Sequence, residues 1–355
     1  FHIFFNCGFS KTRAGVFNKK KVEEALYFSS QFYTDHKNLG LEIQKIISNI
    51  EKDTNEYIDN INLMIDSHKM LSIGISISKK IEGPQLRQED IQFLVQEAKQ
   101  QILKHNHNQN IIHIIINNYK VNNINYNYLP INIECNLISL DIIFICLPEA
   151  TIKYYKNIFH KLDISINQIT CSSYAKAVNY KNNFSLFKEI SFIDVGFNKT
   201  SIINYVNNKI TSIDVLPLGG NHITSDISKI LKIDLEQAEN LKINFSKNIN
   251  DDYYSEELLK KIIFSRSEEI LEMCARIIGL NLITADKYKI ILMGEGSKIF
   301  KNQYEDKIFP INSVDFLEET TESICWSGFK LAMGLNKQEV VVIPKKQIKQ
   351  GFFEK

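Results

Sequence analysis

The apolar and polar positions repeat one pattern at two places in the chain. An apolar run at 2–5 leads into GFSKT at 8–12, and an apolar run at 190–195 leads into GFNKT at 196–200. Each pattern predicts a strand, a tight glycine turn and a second strand. Because loop N–H groups and hydroxyls donate to phosphate oxygens, the repeat predicts two similar halves that face each other across a polyphosphate site.

The spacing of apolar positions elsewhere predicts an α/β chain with an inserted segment. Positions three or four apart predict helices, which cover 41–61, 87–104, 151–162, 221–232 and 255–280, and another that starts after the capping residue Asp234. Alternating or continuous apolar positions predict strands, which cover 70–78, 111–116, 141–147 and 290–293. Asn207-Asn208 fits a hairpin turn because asparagine tolerates positive φ, and 330–335 close the folded part. Residues 64–147 therefore form a compact strand–helix–strand insert.

Composition narrows the class of protein. The 355 residues allow two domains, and 44% hydrophobic with 23% charged residues is ordinary for a globular chain. The net charge of +1 gives no field that would attract nucleic acid, so no nucleic-acid partner is expected. The longest apolar run, 138–147, is too short for a membrane span and is interrupted by Asp141, and no signal peptide is expected. The six cysteines form no CxxC pair, which favours buried thiols in a reducing compartment over a zinc site.

Three groups of residues carry candidate chemistry. Asp194 lies at the end of a buried strand, where it could hold Mg²⁺ directly or through water, or could be a capping aspartate. Asn6 occupies the matching position before the first glycine loop and supplies no charge. Glycines interrupt two apolar stretches and permit close approach of a ligand, at 219–220 and 294–296. Glu236, Glu239 and Lys242 recur every third residue, which fits either a shared binding face or a solvated helix face.

The order of these motifs resembles the actin-like ATPase superfamily and, within it, the FtsA family of bacterial cell-division proteins. The most specific similarity lies in LPLGGNHITSDI at 216–227 with AENLK at 238–242. Residues 5–11 and 193–196 are similar to the family's two phosphate motifs, and 291–297 to its adenosine motif. Residues 63–76 with 112–121 are similar to its inserted 1C subdomain, and 171–175 to its connecting helix.

The resemblance implies a fold of two lobes with ribonuclease H-like halves and a small α+β subdomain, 1C, inserted in the first lobe. The implied divisions are a first lobe (1A) at 1–63, 148–185 and 325–344, subdomain 1C at 64–147, a second lobe (2A) at 186–216 and 281–324, subdomain 2B at 217–280, and a basic tail at 345–355.

The resemblance also implies ATP and Mg²⁺ in the cleft, with Mg²⁺ on Asp194. The implied nucleotide-binding residues are Gly8, Ser10, Lys11, Gly196, Asn198, Thr200, Gly219, Gly220, Glu236, Glu239, Lys242, Gly294, Gly296 and Ser297. No catalytic residue is assigned, and slow ATP turnover at most is expected. This chain departs from the family pattern at Asn6 in the first phosphate loop, at Phe197 and Lys199 in the second, and at Glu295 in the adenosine motif. These departures are expected to affect hydrolysis more than binding.

The implied function is a cytoplasmic adaptor on the inner face of the cell membrane at the division site. Family members form filaments, bind the C-terminal peptide of FtsZ and contact other division proteins through 1C. Arg266 and Glu269 match the residues that hold the peptide, although a surface ion pair explains them equally. Basic residues beside Ile348, Phe352 and Phe353 fit the start of a membrane-surface helix, with too little apolar area for firm binding.

Two other classes of protein share enough of this pattern to be considered. A PilM-like, ATP-binding type IV pilus assembly protein would have the same fold and a similar insert, but the run at 219–226 favours the FtsA family. A sugar kinase would need a second catalytic acidic motif, and a chaperone ATPase would need a substrate domain for which 355 residues leave no room.

Overall fold

The computed structural model describes residues 1–18, 21, 23–31, 39–81, 83–247, 254–279, 288–301, 314–334 and 339–340. The strands are β1 (His2–Cys7), β2 (Lys11–Phe17), β3 (Leu26–Gln31), β4 (Asn60–Ile65), β5 (Leu71–Lys80), β6 (Gln109–Val121), β7 (Ile124–Tyr126), β8 (Leu137–Pro148), β9 (Ser165–Cys171), β10 (Glu189–Val195), β11 (Thr200–Val206), β12 (Lys209–Leu216), β13 (Tyr288–Met293), β14 (Val314–Phe316) and β15 (Glu339–Val340). The α-helices are α1 (Leu39–Thr54), α2 (Gln88–His105), α3 (Glu149–His160), α4 (Ser172–Tyr180), α5 (Gly220–Leu231), α6 (Leu235–Ser246), α7 (Glu256–Ile278), α8 (Lys298–Lys301) and α9 (Thr321–Ala332).

Two sheets share one topology, which confirms the predicted pair of similar halves. The first sheet has the order β3-β2-β1-β4-β9, and the second has the order β12-β11-β10-β13-β14. Each sheet contains an antiparallel hairpin, β1 with β2 in the first sheet and β10 with β11 in the second. The first strand of each hairpin also pairs in parallel with a strand on its other side, β1 with β4 and β10 with β13. These are the ribonuclease H-like sheets of an actin-like fold, and each repeated GFxKT loop joins the two strands of its hairpin.

A third, antiparallel sheet takes four of its five strands, β5 to β8, from the segment between β4 and β9 and its edge strand, β15, from the far end of the described chain. Its order is β15-β6-β8-β5, with β7 paired to β6. Helix α2 buries the face that its spacing predicted, through Ile91, Leu94, Val95, Ala98 and Ile102. An extra sheet in this segment is therefore confirmed, whereas its assignment as subdomain 1C and the bounds of the other divisions stay predictions.

Helix α4 connects the two ribonuclease H-like sheets and is buried along almost its whole length. Only Asn179 of its nine residues is not fully buried. Its apolar residues join a core that extends from the first sheet, through Phe4 and Phe5, to the inner side of the second sheet, through Phe192 and Ile203. A polar side chain on α4 therefore faces the space between the lobes or is enclosed by protein.

Several predicted bounds were wrong, each for a local reason. The predicted helix 41–61 ends at Thr54, because Asn55 adopts a φ of 53° and the chain turns into β4. The helix predicted from Thr151 begins at Glu149, after Pro148. Residues 330–332 of the closing segment 330–335 form the end of α9, which Thr320 caps at its start by accepting from the N–H of Ser323.

Other local predictions were confirmed. The hairpin of β11 and β12 turns at Asn207 and Asn208, which have φ values of 50° and 65°. The carboxylate of Asp234 accepts from Gln237 N at 2.8 Å and caps α6. All six cysteines are buried thiols. Within the described residues, no helix is long and apolar enough to cross a bilayer.

Candidate nucleotide-binding site

The two repeated loops have the same internal geometry and line a common space. Gly8 N donates to Lys11 O at 3.0 Å in the first loop, and Gly196 N donates to Lys199 O at 2.8 Å in the second. A small cavity of about 100 Å³ separates the loops and is lined by residues of both. We call it the inner cavity; besides the loops it contains the carboxylates of Asp66, Asp194 and Glu319 and the ammonium of Lys176.

A larger cavity of about 400 Å³ opens beside the inner one. This volume lies within the usual range for small-molecule sites. We call it the outer cavity. Seven of the predicted nucleotide-binding residues line it, namely Ser10, Lys11, Gly196, Gly220, Glu239, Lys242 and Gly296. Four apolar side chains also reach it, those of Phe197, Ile223, Ile243 and Ile299, so it combines apolar walls with charged groups.

The other predicted residues lie elsewhere. Gly8, Asn198 and Gly294 line the inner cavity. The remaining four line neither cavity. The hydroxyls of Thr200 and Ser297 donate to backbone carbonyls, those of Leu218 and Gly294, each at 2.8 Å. Gly219 packs against the second loop, and Glu236 is exposed on α6. Glu236 therefore follows the solvated-face interpretation, whereas Glu239 and Lys242 do not.

Lys242 is the centre of a polar cluster at the outer cavity. Its Nζ donates to Glu239 Oε2 at 2.6 Å, to Thr224 Oγ1 at 2.8 Å and to Gly220 O at 3.0 Å. Burial lowers the pKa of Lys242, and the Glu239 carboxylate partly opposes that effect. The cluster fixes the start of α5 against α6, at the side of the cavity that the resemblance assigns to the ribose and adenine.

Lys11 lies where the two cavities meet and lines both. Burial lowers its pKa, the Arg13 guanidinium and the Lys298 ammonium add to that effect, and the Glu295 carboxylate opposes it. Cations crowded at one point favour the binding of an anion there, because the anion relieves their mutual repulsion. The junction of the cavities is therefore the position that fits a phosphate group best.

A buried ion triad closes the base of the inner cavity. Lys176 Nζ lies 2.8 Å from Asp194 Oδ2 and 3.0 Å from Glu319 Oε2, and the three side chains are 5–7% exposed. Burial alone would lower the pKa of Lys176, but the carboxylates of Asp194 and Glu319 raise it above its ordinary value. Lys176 is therefore a permanent cation beside Asp194.

Two further ion pairs border the same cavity. Lys199 Nζ lies 3.2 Å from Asp66 Oδ2, and Arg13 Nη2 lies 3.0 Å from Glu295 Oε1. Burial would raise the pKa of Asp66, but the Lys199 ammonium and the hydrogen bond from the Cys171 thiol hold it below its ordinary value of 3.8. Asp66 is therefore an ionised, paired carboxylate.

The expectation that Asp194 holds Mg²⁺ does not fit these contacts. A hard dication needs carboxylate and carbonyl oxygens that can turn toward it. Asp194 instead accepts from Lys176, and Asp66 is paired with Lys199. Within the described residues, no group of three or more metal-ligating side chains could hold a metal ion.

Glu319 gives the triad a predicted pH dependence. Burial and the Asp194 charge raise the pKa of Glu319 above its ordinary value of 4.5, and Lys176 opposes this effect. The folded chain then keeps a proton that the unfolded chain has released, so the free energy of unfolding falls as the pH rises from 4.5 through the raised pKa. The slope is about 1.4 kcal/mol for each pH unit of that window.

We expect Glu319→Gln to remove this slope, because glutamine cannot ionise. Urea unfolding of both proteins across the window measures it. The matched control is Glu318→Gln, whose side chain is 78% exposed and should leave the slope unchanged. Parallel pH curves for the wild type and Glu319→Gln would contradict the assignment of a raised pKa to this residue.

Sequence reasoning missed three of the charged residues around the inner cavity. Asp66 lies within the segment 63–76 at the entry to the insert, Lys176 stands alone in the apolar helix α4, and Glu319 belongs to an ordinary acidic pair before α9. A lone lysine among small and apolar residues of a buried helix is a signal, since a buried lysine needs a partner, but the sequence does not say which one.

The predicted partner residues lie on α7, away from both cavities. Arg266 Nε donates to Asp226 Oδ2 at 2.7 Å, and Arg266 Nη1 donates to Glu269 Oε2. These contacts fit the surface ion-pair interpretation, and they also place a partly exposed guanidinium on a fixed surface. The predicted membrane residues Ile348, Phe352 and Phe353 lie outside the described residues.

Comparison with known sequences supports one family. The family model "Cell division protein FtsA" matches residues 191–322. FtsA of Buchnera aphidicola from Acyrthosiphon pisum is 25% identical over 349 aligned residues, which cover 84% of this chain and 82% of that protein. FtsA of Bacillus subtilis is 33% identical over 119 residues, which cover 34% of this chain and 23% of that protein.

Comparison with solved structures supports the fold. A chain of the PilM-PilN type IV pilus biogenesis complex superposes with a TM-score of 0.64 at 12% identity, over 94% of this chain and 97% of that one. MreB5 of Spiroplasma citri bound to ADP superposes with a TM-score of 0.51 at 11% identity, over 93% of this chain and 95% of that one. At these identities the likeness concerns the fold alone. The chain is thus similar in sequence to proteins of the FtsA family, and its fold is that of the actin-like ATPases.

Proposed function

We propose that the chain is an ATP-binding, filament-forming adaptor of cell division that links FtsZ to the membrane. The observation that supports ATP binding most strongly is the outer cavity, where residues of both phosphate loops meet the Lys242 cluster within about 400 Å³. The shared fold adds to this, because MreB5 of Spiroplasma citri was solved with ADP.

The residues of the two cavities suggest how ATP would lie. The adenine and ribose would occupy the outer cavity, between Ile243 and Ile299 and beside Glu239. The phosphates would point toward Ser10 and Lys11 at the junction with the inner cavity. Since residues of both lobes line the outer cavity, the bound nucleotide would hold the lobes together.

ATP would act as a structural ligand rather than a rapidly hydrolysed substrate. Asn6 Nδ2 donates to Ser172 Oγ at 2.7 Å, so this position offers an amide where a carboxylate could position water. Asp194 is engaged by Lys176 and is not available as a base. Slow turnover at most is therefore part of the proposal.

Lys11→Met tests the nucleotide site. We expect ATP affinity to fall about 10- to 100-fold, because the substitution removes one charge-assisted hydrogen bond to a phosphate. Stability of the ligand-free chain should not fall, since Lys11 is only partly buried among other cations. Calorimetry with the wild type and the variant measures both affinities.

The matched control is Lys21→Met, whose lysine is 66% exposed and pairs with Glu24. It should bind ATP like the wild type. Equal ATP affinity in Lys11→Met and the wild type would contradict the placement of the phosphates, and no ATP binding by the wild type would contradict the proposed nucleotide function itself.

Binding of the FtsZ C-terminal peptide is the proposed partner interaction, with Arg266 and Glu269 as contact residues. We expect Arg266→Ala to weaken binding of a synthetic FtsZ C-terminal peptide about 10-fold or more, because a guanidinium–carboxylate contact is lost. Fluorescence anisotropy measures it, with Arg276→Ala as the control; Arg276 lies on the same helix and is 78% exposed. A wild-type chain that does not bind this peptide would favour the PilM-like alternative.

The remaining parts of the proposal rest on the family alone. They are self-association into filaments, contacts with other division proteins through the predicted 1C subdomain, and a cytoplasmic location on the inner face of the membrane through the tail. Sedimentation with ATP and flotation with anionic vesicles would test the first and the last of these.

A further inference from the structure

The carboxylates of the inner cavity already have cations of the protein as partners. Lys176 Nζ lies 2.8 Å from Asp194, and Lys199 Nζ lies 3.2 Å from Asp66. Glu319 shares Lys176 at 3.0 Å. The charged side chains that line the cavity are equal in number: four carboxylates (Asp66, Asp194, Glu295 and Glu319) face four cations (Lys11, Arg13, Lys176 and Lys199). The cavity therefore holds no surplus negative charge for a dication to neutralise.

The ion pairs also join the two lobes in both directions. Lys176 belongs to α4, beside the first sheet, and reaches Asp194 on β10 of the second. Lys199 belongs to the loop between β10 and β11 of the second sheet and reaches Asp66 after β4 of the first. Protein cations thus bridge the lobes at the base of the cleft.

Steric crowding of the second loop adds an independent reason. Lys199 is 5% exposed, and its ammonium also donates to Ser201, so it lies folded into the inner cavity. A hydrated Mg²⁺ keeps several water molecules. The inner cavity of about 100 Å³ has room for a few waters at most beside a phosphate group.

We propose that this chain binds its nucleotide without a divalent cation, and that the Lys176 ammonium takes the place of the metal beside Asp194. The inference rests on the proposed nucleotide function and names the ionic form of its ligand: a free nucleoside polyphosphate rather than its Mg²⁺ complex. Lys11, at the junction of the cavities, supplies the positive charge that the phosphates meet first.

The first experiment compares ATP affinity in 5 mM MgCl₂ (about the level used to saturate Mg-ATP) with affinity in excess EDTA, and is analysed with the salt concentration held constant. We expect the two dissociation constants of the wild type to agree within about 2-fold, since no protein ligand of the metal is available. A loss of about 10-fold or more in EDTA would overturn the proposal.

The matched variant is Asp194→Asn, which leaves Lys176 paired with Glu319 and so keeps the triad balanced. We expect its ATP affinity, with and without Mg²⁺, to stay within about 3-fold of the wild type. A metal site on Asp194 would instead produce a large loss in Mg²⁺ and none in EDTA, which would overturn the proposal.

A metal-only titration separates this inference from the nucleotide function. Mn²⁺ is titrated into the chain without nucleotide and followed by electron paramagnetic resonance. We expect the wild type to show no site that Asp194→Asn abolishes, and such a site would overturn the inference. If the wild type binds no ATP at all, the nucleotide function fails, whereas the Mn²⁺ result still decides whether Lys176 has taken the metal's place.

Discussion

Replacement of Lys176 by methionine should lower the free energy of unfolding by about 3–5 kcal/mol, the usual cost of removing one partner from a buried ion pair. The substitution keeps the length of the side chain and removes only its charge and donors. Asp194 and Glu319 are then left with side chains that are 7% and 5% exposed and without their cation. Urea unfolding followed by circular dichroism measures the loss.

The control for this prediction is Lys261→Met. Lys261 pairs with Glu257 on the surface of α7 at 2.7 Å, and the two side chains are 71% and 78% exposed. Exposed pairs of this kind contribute about 0.3–0.5 kcal/mol, so the control should be close to the wild type. Similar losses in the two variants would show that the triad is not electrostatically tight.

A triple variant separates lost charge balance from lost packing. Lys176→Met combined with Asp194→Asn and Glu319→Gln replaces the ion triad by neutral groups of nearly the same shape. Neutral replacement of a buried ion cluster is often tolerated, whereas a half-removed one is not. We therefore expect the triple variant to recover most of the stability that the single variant loses; a triple variant as unstable as Lys176→Met would attribute the loss to packing.

The fold could be predicted largely because its signals are local. The two glycine turns, the hairpin at Asn207-Asn208 and the cap at Asp234 each depend on residues within a few positions of one another. Strand β4 and helix α1 show the limit. The run NINLMI follows the helix after a short turn, and such a short apolar run fits either a helix or a buried strand.

The candidate site could be predicted only in part, because its charges come from distant parts of the chain. Lys176 and Glu319 are 143 positions apart, and Arg13 and Glu295 are 282 positions apart. Motif spacing predicted the loops and glycines around the cavities, since backbone geometry requires those residue types. It could not predict that Lys199, read as a departure from the family pattern, pairs with Asp66 across the cleft.

Replacement of Gly294 by alanine should be the most damaging single-methyl change in the described part of the cleft. Gly294 has φ 88° and ψ 157°, a conformation that is essentially restricted to glycine. An added Cβ would lie 2.5 Å from Val195 O and 2.5 Å from Asp194 Oδ1. Backbone strain and the clash together should cost about 3–5 kcal/mol of the free energy of unfolding.

The same substitution should weaken ATP binding, because its neighbours cannot move independently of the site. Gly294 N donates to Glu319 Oε2 at 2.9 Å, and Gly294 itself lines the inner cavity, so a displaced Gly294 changes the shape of that cavity. It also shifts Gly296, which lines the outer cavity. Calorimetry of the folded fraction should give an ATP affinity about 10-fold lower or more, since small displacements of a positioned site carry large costs.

Gly279→Ala separates the strain of positive φ from the clash in the cleft. Gly279 ends α7 with a φ of 74°, and nothing lies within 4 Å of an added Cβ. Alanine there should cost about 1–2 kcal/mol, the strain of a left-handed residue, and should leave ATP affinity unchanged. If both alanine variants lost the same stability, the close approach of β10 to the turn after β13 would have no energetic weight. We expect a difference of at least about 2 kcal/mol, because of these two glycines only Gly294 would bring its methyl group against backbone atoms, those of Val195 at the end of β10.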